Sequence, residues 1–236
     1  MSELLIAGRF HGPPDSGNGG YTCGLTAASL PDADAVEVTL RQPPPLERLL
    51  QLDDGTLTDG DAVVASARPV EVDIELPPAV GFDEAERLAA EFDVDAYRKR
   101  HFYPTCFGCG PDRDPGDGLR IFPGEAGGDL VAWPWVPDAS MLDVPYLWTA
   151  LDCPSGHAWI RKSPDEPVVL GRLAARVRRL PQAGEPLVVA GWPIARDGRK
   201  LTSGTVIWSG DEVVAEAFST WILLDERQRG TFRPVT

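Results

Sequence analysis

Asp152 closes the run Tyr146-Leu147-Trp148-Thr149-Ala150-Leu151, which is almost wholly apolar. Burial among such groups disfavours the charged form of a carboxyl, and a position near a helix C-terminus acts in the same direction. A carboxyl with a raised pKa suits a general base for water, or a nucleophile if it attacks directly. The plainer role is structural, capping the N–H of Ser155 or Gly156 in a turn. Far upstream, Asn18-Gly19-Gly20 stands ahead of a helix-forming stretch. Asn18 suits an N-cap, and glycine lets a ligand approach the backbone closely. The unpaired N–H groups at such a helix start can hold a developing oxyanion, at about 3–4 kcal/mol per donor. The same glycines also suit a turn that merely starts a helix.

Four further groups carry candidate chemistry. His157 and His11 are either cleft residues or ordinary packed or surface histidines. Cys106 and Cys109 form a Cys-x-x-Cys pair. A structural zinc site needs two more ligands, and Cys23, Cys153 and His101 have no supporting spacing. A redox pair should open a helix, whereas Gly110-Pro111 follows here. The expectation is therefore a tight turn, with no metal. On a strand, Arg172, Arg176 and Arg178 fall on one face, with Leu173, Ala175 and Val177 on the other. That basic ridge could hold phosphates or pair with acids; Arg161-Lys162 is a weaker second candidate. All seven Trp lie in the second half, and Trp148 and Trp159 are placed to line an apolar pocket.

The elements that must position these residues occur twice. Residues 60–67 read GDAVVASA and residues 210–217 read GDEVVAEA, each a Gly-Asp turn followed by a strand. Upstream strand candidates pair off as 46–52 with 186–192, and 35–41 with 168–180. Ahead of each set lies a helix candidate, over 19–30 and 144–153, the second ended near Cys153 by Pro154. Between the halves, 82–101 has helical spacing and reads as a connecting helix. The boundaries that follow are 1–80, a linker at 81–104, and 105–236. This predicts an α+β fold, with one helix and an antiparallel meander per half and the two sheets joined edge to edge.

Composition excludes several classes of function. The chain has 236 residues, with 36 acids against 22 bases and a net charge of −14. Nucleic acid and anionic membrane surfaces both require the opposite sign. No apolar run is long enough to span a bilayer. The N-terminus lacks the features of a signal peptide, and four cysteines do not make a disulfide scaffold, so the expected location is cytoplasmic.

Residues 106–122, CFGCGPDRDPGDGLRIF, form a Cys-rich turn followed by Pro, Gly and Leu and then a strand candidate. With the strand candidate at 129–137 and the helix candidate at 143–156, this segment resembles the opening of hotdog-fold acyl-CoA thioesterases. Their helix begins with a Gly-Gly-like motif, and a carboxylate follows eight residues after its first Gly. Here Val144 falls on that Gly and Asp152 on the carboxylate, while Asn18-Gly19-Gly20-Tyr21 resembles the helix opening but places Ala27 at the acid. The run YLWTALD is similar to the Asp-bearing helix of double-hotdog thioesterases of the acyl-CoA thioesterase II type.

The resemblance implies a double hotdog, two fused antiparallel-sheet-plus-helix repeats forming a pseudo-two-fold dimer. It implies one complete site, with Asn18, Gly19, Gly20 and Asp152 as catalytic residues. Val144, Pro145 and Ala27 would form a degenerate counterpart. Tyr21, Trp148, His157, Arg172, Arg176 and Arg178 are the candidate substrate-binding residues. The implied activity is hydrolysis of a small-molecule acyl thioester. Coenzyme A would enter as part of the substrate, with no separate cofactor. The rivals are a hotdog enoyl-CoA hydratase or dehydratase using His157, and a non-catalytic acyl-binding protein. A homodimer of double hotdogs is compatible with this reading.

Overall fold

The structure, a computed structural model, describes residues 1–226 and Gln228. The chain opens with β1 (Ser2–Leu5) and a short 3-10 turn at Gly8–Phe10, then α1 (Gly19–Ala27). Four strands follow: β2 (Ala35–Leu40), β3 (Leu49–Asp53), β4 (Thr56–Asp59) and β5 (Ala62–Pro69). Next come two short helices, α2 (Phe82–Ala90) and α3 (Val94–Arg98), and a long irregular segment that ends at β6 (Gly124–Glu125). The rest is β7 (Val131–Trp135), α4 (Val144–Ile160), β8 (Val168–Val177), β9 (Leu187–Asp197), β10 (Lys200–Ser209) and β11 (Glu212–Leu223).

All the described strands join one antiparallel sheet in the order β1-β3-β4-β5-β2-β8-β11-β10-β9-β7-β6. The seam is β2 against β8, with Val38 opposite Leu173 and Val36 opposite Ala175. Outward from that seam, one side runs β2-β5-β4-β3-β1 and the other β8-β11-β10-β9-β7-β6. The Gly-Asp turns enter β5 and β11, and Gly60 and Gly210 adopt φ of 57° and 58°, a region only glycine occupies without strain.

One face of the sheet carries α1 and α4. Period-two alternation sends Val36 and Val38 of β2, and Leu173 and Ala175 of β8, into the same core as Cys23, Leu147, Trp148 and Leu151 from the helices. The other face is partly covered. Ala85 and Leu88 of α2 pack on Ala132, Val188, Ala190 and Val206, and Val72 packs on Ala35 and Ala174.

Three local expectations differ from the structure. The stretch at 82–101 is two helices, because Asp93 caps a new start by accepting the Ala96 N–H at 2.8 Å. Residues 119–122 are not a strand, since Gly118 and Arg120 take φ of 99° and 52° and break extended pairing. The second long helix does not stop near Cys153: α4 continues through Pro154 to Ile160. A proline inside a helix typically costs ~3 kcal/mol or more. Here β9 presses against that turn, where a Cβ on Gly191 would meet the Pro154 backbone at 2.5 Å. Tertiary packing therefore outweighs the local rule.

Candidate active site

The first turn of α1 determines where its N–H groups go. Asn18 Oδ1 accepts the Tyr21 N–H at 2.9 Å, and the Asn18 carbonyl accepts the Thr22 N–H at 3.0 Å. The Gly20 N–H donates to Asp152 Oδ2 of α4 at 2.9 Å. The Gly19 N–H has no acceptor among the described residues, and Gly19 lines a cleft with Asn18 and Asp152. Of the two glycines expected to face a ligand, Gly20 thus holds the carboxyl and Gly19 remains open. Gly20 also answers a packing need. A Cβ there would lie 2.5 Å from Asp152 Cβ and 2.6 Å from the Trp148 carbonyl oxygen, and one on Gly24 would lie 2.6 Å from Pro145 Cα. The small residues let α1 and α4 approach closely enough for the N–H to reach the carboxyl.

Asp152 sits inside α4, not at its end, and is 2% exposed. Its pKa is pushed up to about 8, chiefly by burial, with the Gly20 N–H pulling the other way. The expected helix C-terminal contribution does not arise, because the helix runs on. Nor does the carboxyl cap the following turn; it is the Asp152 carbonyl that accepts the Ser155 hydroxyl, at 2.7 Å. Asp152 Oδ1 is buried and has no hydrogen-bond partner among the described residues. The carboxyl is thus anchored on α1 through one oxygen, with the other buried and without a hydrogen-bond partner among the described residues, and Asp152 lines the cleft.

That cleft has a volume of about 310 Å³, with apolar walls from Leu40, Ile160, Leu170 and Trp221. A second cleft of about 540 Å³ lies beside it, under α2 and α3, and shares His101, Tyr103, His157, Ile160 and Val168 with the first. His157 faces both clefts, but its Nε2 is engaged by the Tyr97 hydroxyl at 3.0 Å, and burial pushes its pKa down to about 3.

Other candidates lie elsewhere. Trp148 is core, and Tyr21 stacks on Phe10 at 4.0 Å; neither lines the cleft. Nor does His11, whose Nδ1 lies 3.3 Å from the Gly12 carbonyl. The arginine ridge is on the sheet face away from α1 and α4 and is engaged by acids. Arg176 reaches Asp34 at 2.8 Å and Glu216 at 3.1 Å, Arg178 reaches Glu216 at 2.7 Å, and Arg172 approaches Glu37 at 3.5 Å. It is a set of cross-strand ion pairs, not part of the cleft. The strand alternation read from sequence was sound, but the partners on β2 and β11 were not visible to it. Three exposed arginines instead line the clefts, Arg41 the smaller and Arg100 and Arg161 the larger; Arg161 pairs with Glu125 at 2.8 Å, whereas Arg41 and Arg100 have no acidic partner among the described residues. No periodic pattern marks them, since each lies just beyond an element.

The Cys-x-x-Cys segment is more than a turn. Cys106, Cys109 and Cys153 are buried, their sulfurs all lie within 4.8 Å of one another, and all three line the smaller cleft. A Cβ on Gly108 would lie 2.3 Å from Cys153 Sγ, so the turn closes directly over α4. Cys106 is pushed well below the ordinary thiol range by hydrogen bonds from Cys109 and Cys153.

No family model matches the chain, and no curated protein matches its sequence significantly. Solved structures do match. A protein described as a thioesterase from Novosphingobium aromaticivorans superposes with a TM-score of 0.60 at 13% identity, over 94% of this chain and 95% of that one. The TesB protein of Mycobacterium avium subspecies paratuberculosis gives 0.57 at 12% identity, over 94% and 92%. A protein of unknown function with a hotdog fold from Alicyclobacillus acidocaldarius gives 0.53 at 11% identity, over 94% and 92%. The chain is thus similar in fold, over most of its length, to thioesterases and hotdog-fold proteins. No described helix is long and apolar enough to cross a membrane.

Proposed function

We propose that the chain hydrolyses an acyl-CoA or related acyl thioester at one composite site, and that it is two fused hotdog units spanning 1–80 and 105–236. The mirrored strand order about the β2–β8 seam supports the duplication. The observation that carries the functional reading is the contact between halves, with Gly20 N–H on Asp152 Oδ2 at 2.9 Å while Oδ1 stays unpartnered. The equivalent place in the other half pairs Val144 and Pro145 with Ala27, which supplies no carboxyl, and Pro145 has no N–H to donate.

In this reading the thioester carbonyl oxygen accepts the open Gly19 N–H at the positive end of α1. Asp152, ionised, takes a proton from water as the oxygen of that water adds to the acyl carbon, or attacks that carbon itself. By the water route the C–S bond then breaks and the thiol leaves with the proton that Asp152 took; by direct attack the thiolate leaves and is protonated by solvent, and water then hydrolyses the mixed anhydride on Asp152 to the free acid and the carboxylate. The acyl and thiol arms have the 310 Å³ and 540 Å³ clefts to occupy. Arg41 and Arg100 are the basic residues available to the phosphates of a coenzyme A arm, replacing the ion-paired ridge in that role.

The test is steady-state hydrolysis across an acyl-CoA panel, comparing wild type with Asp152→Asn. The expected result is turnover on at least one chain length that falls at least about 100-fold in the variant. Undiminished turnover removes Asp152 from the chemistry. Tight binding with no turnover on any thioester would identify a binding protein instead.

A further inference from the structure

We propose that Cys106, Cys109 and Cys153 form a three-thiolate site for a thiophilic divalent cation, Zn²⁺ in the first instance. The inference does not depend on the thioesterase reading. Three sulfurs from two segments meet within 4.8 Å of one another, beneath a turn whose Gly108 leaves room only for Cys153. Zn–S bonds of about 2.3 Å in a tetrahedron bring sulfurs to about 3.8 Å apart, a small contraction for a Cys-x-x-Cys turn to make. The turn is already folded as a knuckle. The Gly110 N–H donates to the Cys106 carbonyl at 2.8 Å and the Cys106 N–H to the Tyr103 carbonyl at 2.9 Å. A Cβ on Gly110 would meet Cys106 backbone atoms at 2.6 Å.

The polar groups around the sulfurs are arranged as donors. Asn18 Oδ1 is committed to the Tyr21 N–H, which turns Nδ2 toward Cys106 Sγ at 3.6 Å. His101 Nδ1 accepts the Tyr103 N–H at 2.8 Å, so the ring proton of the neutral imidazole is on Nε2, 3.4 Å from Cys109 Sγ. That same bond makes His101 a donor to a ligand sulfur rather than the fourth ligand. Neutral thiols need no such donors, whereas metal-bound thiolates are regularly supported by them. Soft sulfur ligands select Zn²⁺ over Mg²⁺ or Ca²⁺. Because all three cysteines line the smaller cleft, the fourth coordination position opens on it, for water or a bound ligand. Binding ionises the thiols and releases their protons to solvent.

The test is elemental analysis of full-length protein purified without chelator, followed by Co²⁺ titration of metal-depleted protein. One equivalent of zinc per chain is expected, with a thiolate-to-cobalt charge-transfer band and the intense visible bands of tetrahedral Co²⁺. Cys109→Ser and Cys153→Ser should lose the band, while Cys23→Ser, outside the cluster, should keep it. If the cluster variants fail to fold, the wild-type stoichiometry and Co²⁺ spectrum still decide. Absence of both bound zinc and the charge-transfer band overturns the site. So does a mass deficit of two hydrogens with a Cys106–Cys109 or Cys106–Cys153 disulfide, which would make the cluster a redox pair.

Discussion

The N–H of Gly20 in α1 donates to Asp152 in α4 at 2.9 Å, joining residues 132 positions apart in the chain. That bond leaves Asp152 with one anchored oxygen and one unpartnered oxygen, and burial lifts its pKa to about 8. A general base works only when ionised, so activity should follow the ionised fraction. We expect kcat/KM to rise about tenfold per pH unit below about pH 8 and to level above it. A pH–rate profile from about pH 6 to pH 10 checks this. A profile flat across that range would mean that Asp152 is already ionised or takes no part.

The same shift has a consequence for stability. The native carboxyl keeps its proton up to about pH 8, whereas in the unfolded chain it releases it near the ordinary value of 3.8. Between those values the unfolded state binds fewer protons, so stability should fall as pH rises and then level off above about 8. Asp152→Asn cannot ionise and should lack this slope. Urea midpoints for both proteins at several pH values give the comparison. Parallel pH curves would show that the carboxyl is not desolvated.

Parts of this arrangement were legible in sequence and parts were not. The paired Gly-Asp turns marked the entries to β5 and β11, because a positive φ and a following apolar alternation are local properties. The separation of Asn18-Gly19-Gly20 from Asp152 between halves pointed to residues that do meet. Pro154 misled, because the helix through it depends on β9 at Gly191, a contact no local rule contains. Cys153 stands among three residues that could join Cys106 and Cys109, and its spacing does not single it out, for the same reason. The sulfurs meet only because an irregular segment folds over α4, and nothing in the spacing records that. Gly20 has the residue type that admits a ligand, whereas its missing side chain admits a second helix.

Gly20→Ala should therefore be harmful at a position where alanine would ordinarily help. Alanine exceeds glycine in helix propensity by up to about 1 kcal/mol. The new Cβ, however, would meet Asp152 Cβ at 2.5 Å and the Trp148 carbonyl oxygen at 2.6 Å, and neither belongs to a flexible side-chain end. Overpacking of this kind costs about 1–3 kcal/mol, so net destabilisation is expected. Because the clash moves α1 from α4, the Gly20 to Asp152 bond should lengthen and turnover should fall with it. Denaturation and kinetics on one preparation test both effects, and a stabilised, fully active variant would refute the close approach.

The arginines divide into two groups that mutation should separate. Glu216 is 4% exposed and accepts from both Arg176 and Arg178, so Arg176→Ala removes a charge-assisted bond from a buried carboxylate. A loss of about 1–3 kcal/mol in stability is expected, with KM for an acyl-CoA unchanged. Arg41 and Arg100 are exposed at the clefts without acidic partners among the described residues, so replacing them should leave stability unaltered. If they meet phosphates, Arg41→Ala and Arg100→Ala should each raise KM for an acyl-CoA about two- to fivefold, the range expected of exposed charge pairs. KM for a short thioester lacking those phosphates should not change, and added salt should weaken the acyl-CoA effect. Equal KM values for both substrates in all three variants would move the phosphate contacts away from these clefts.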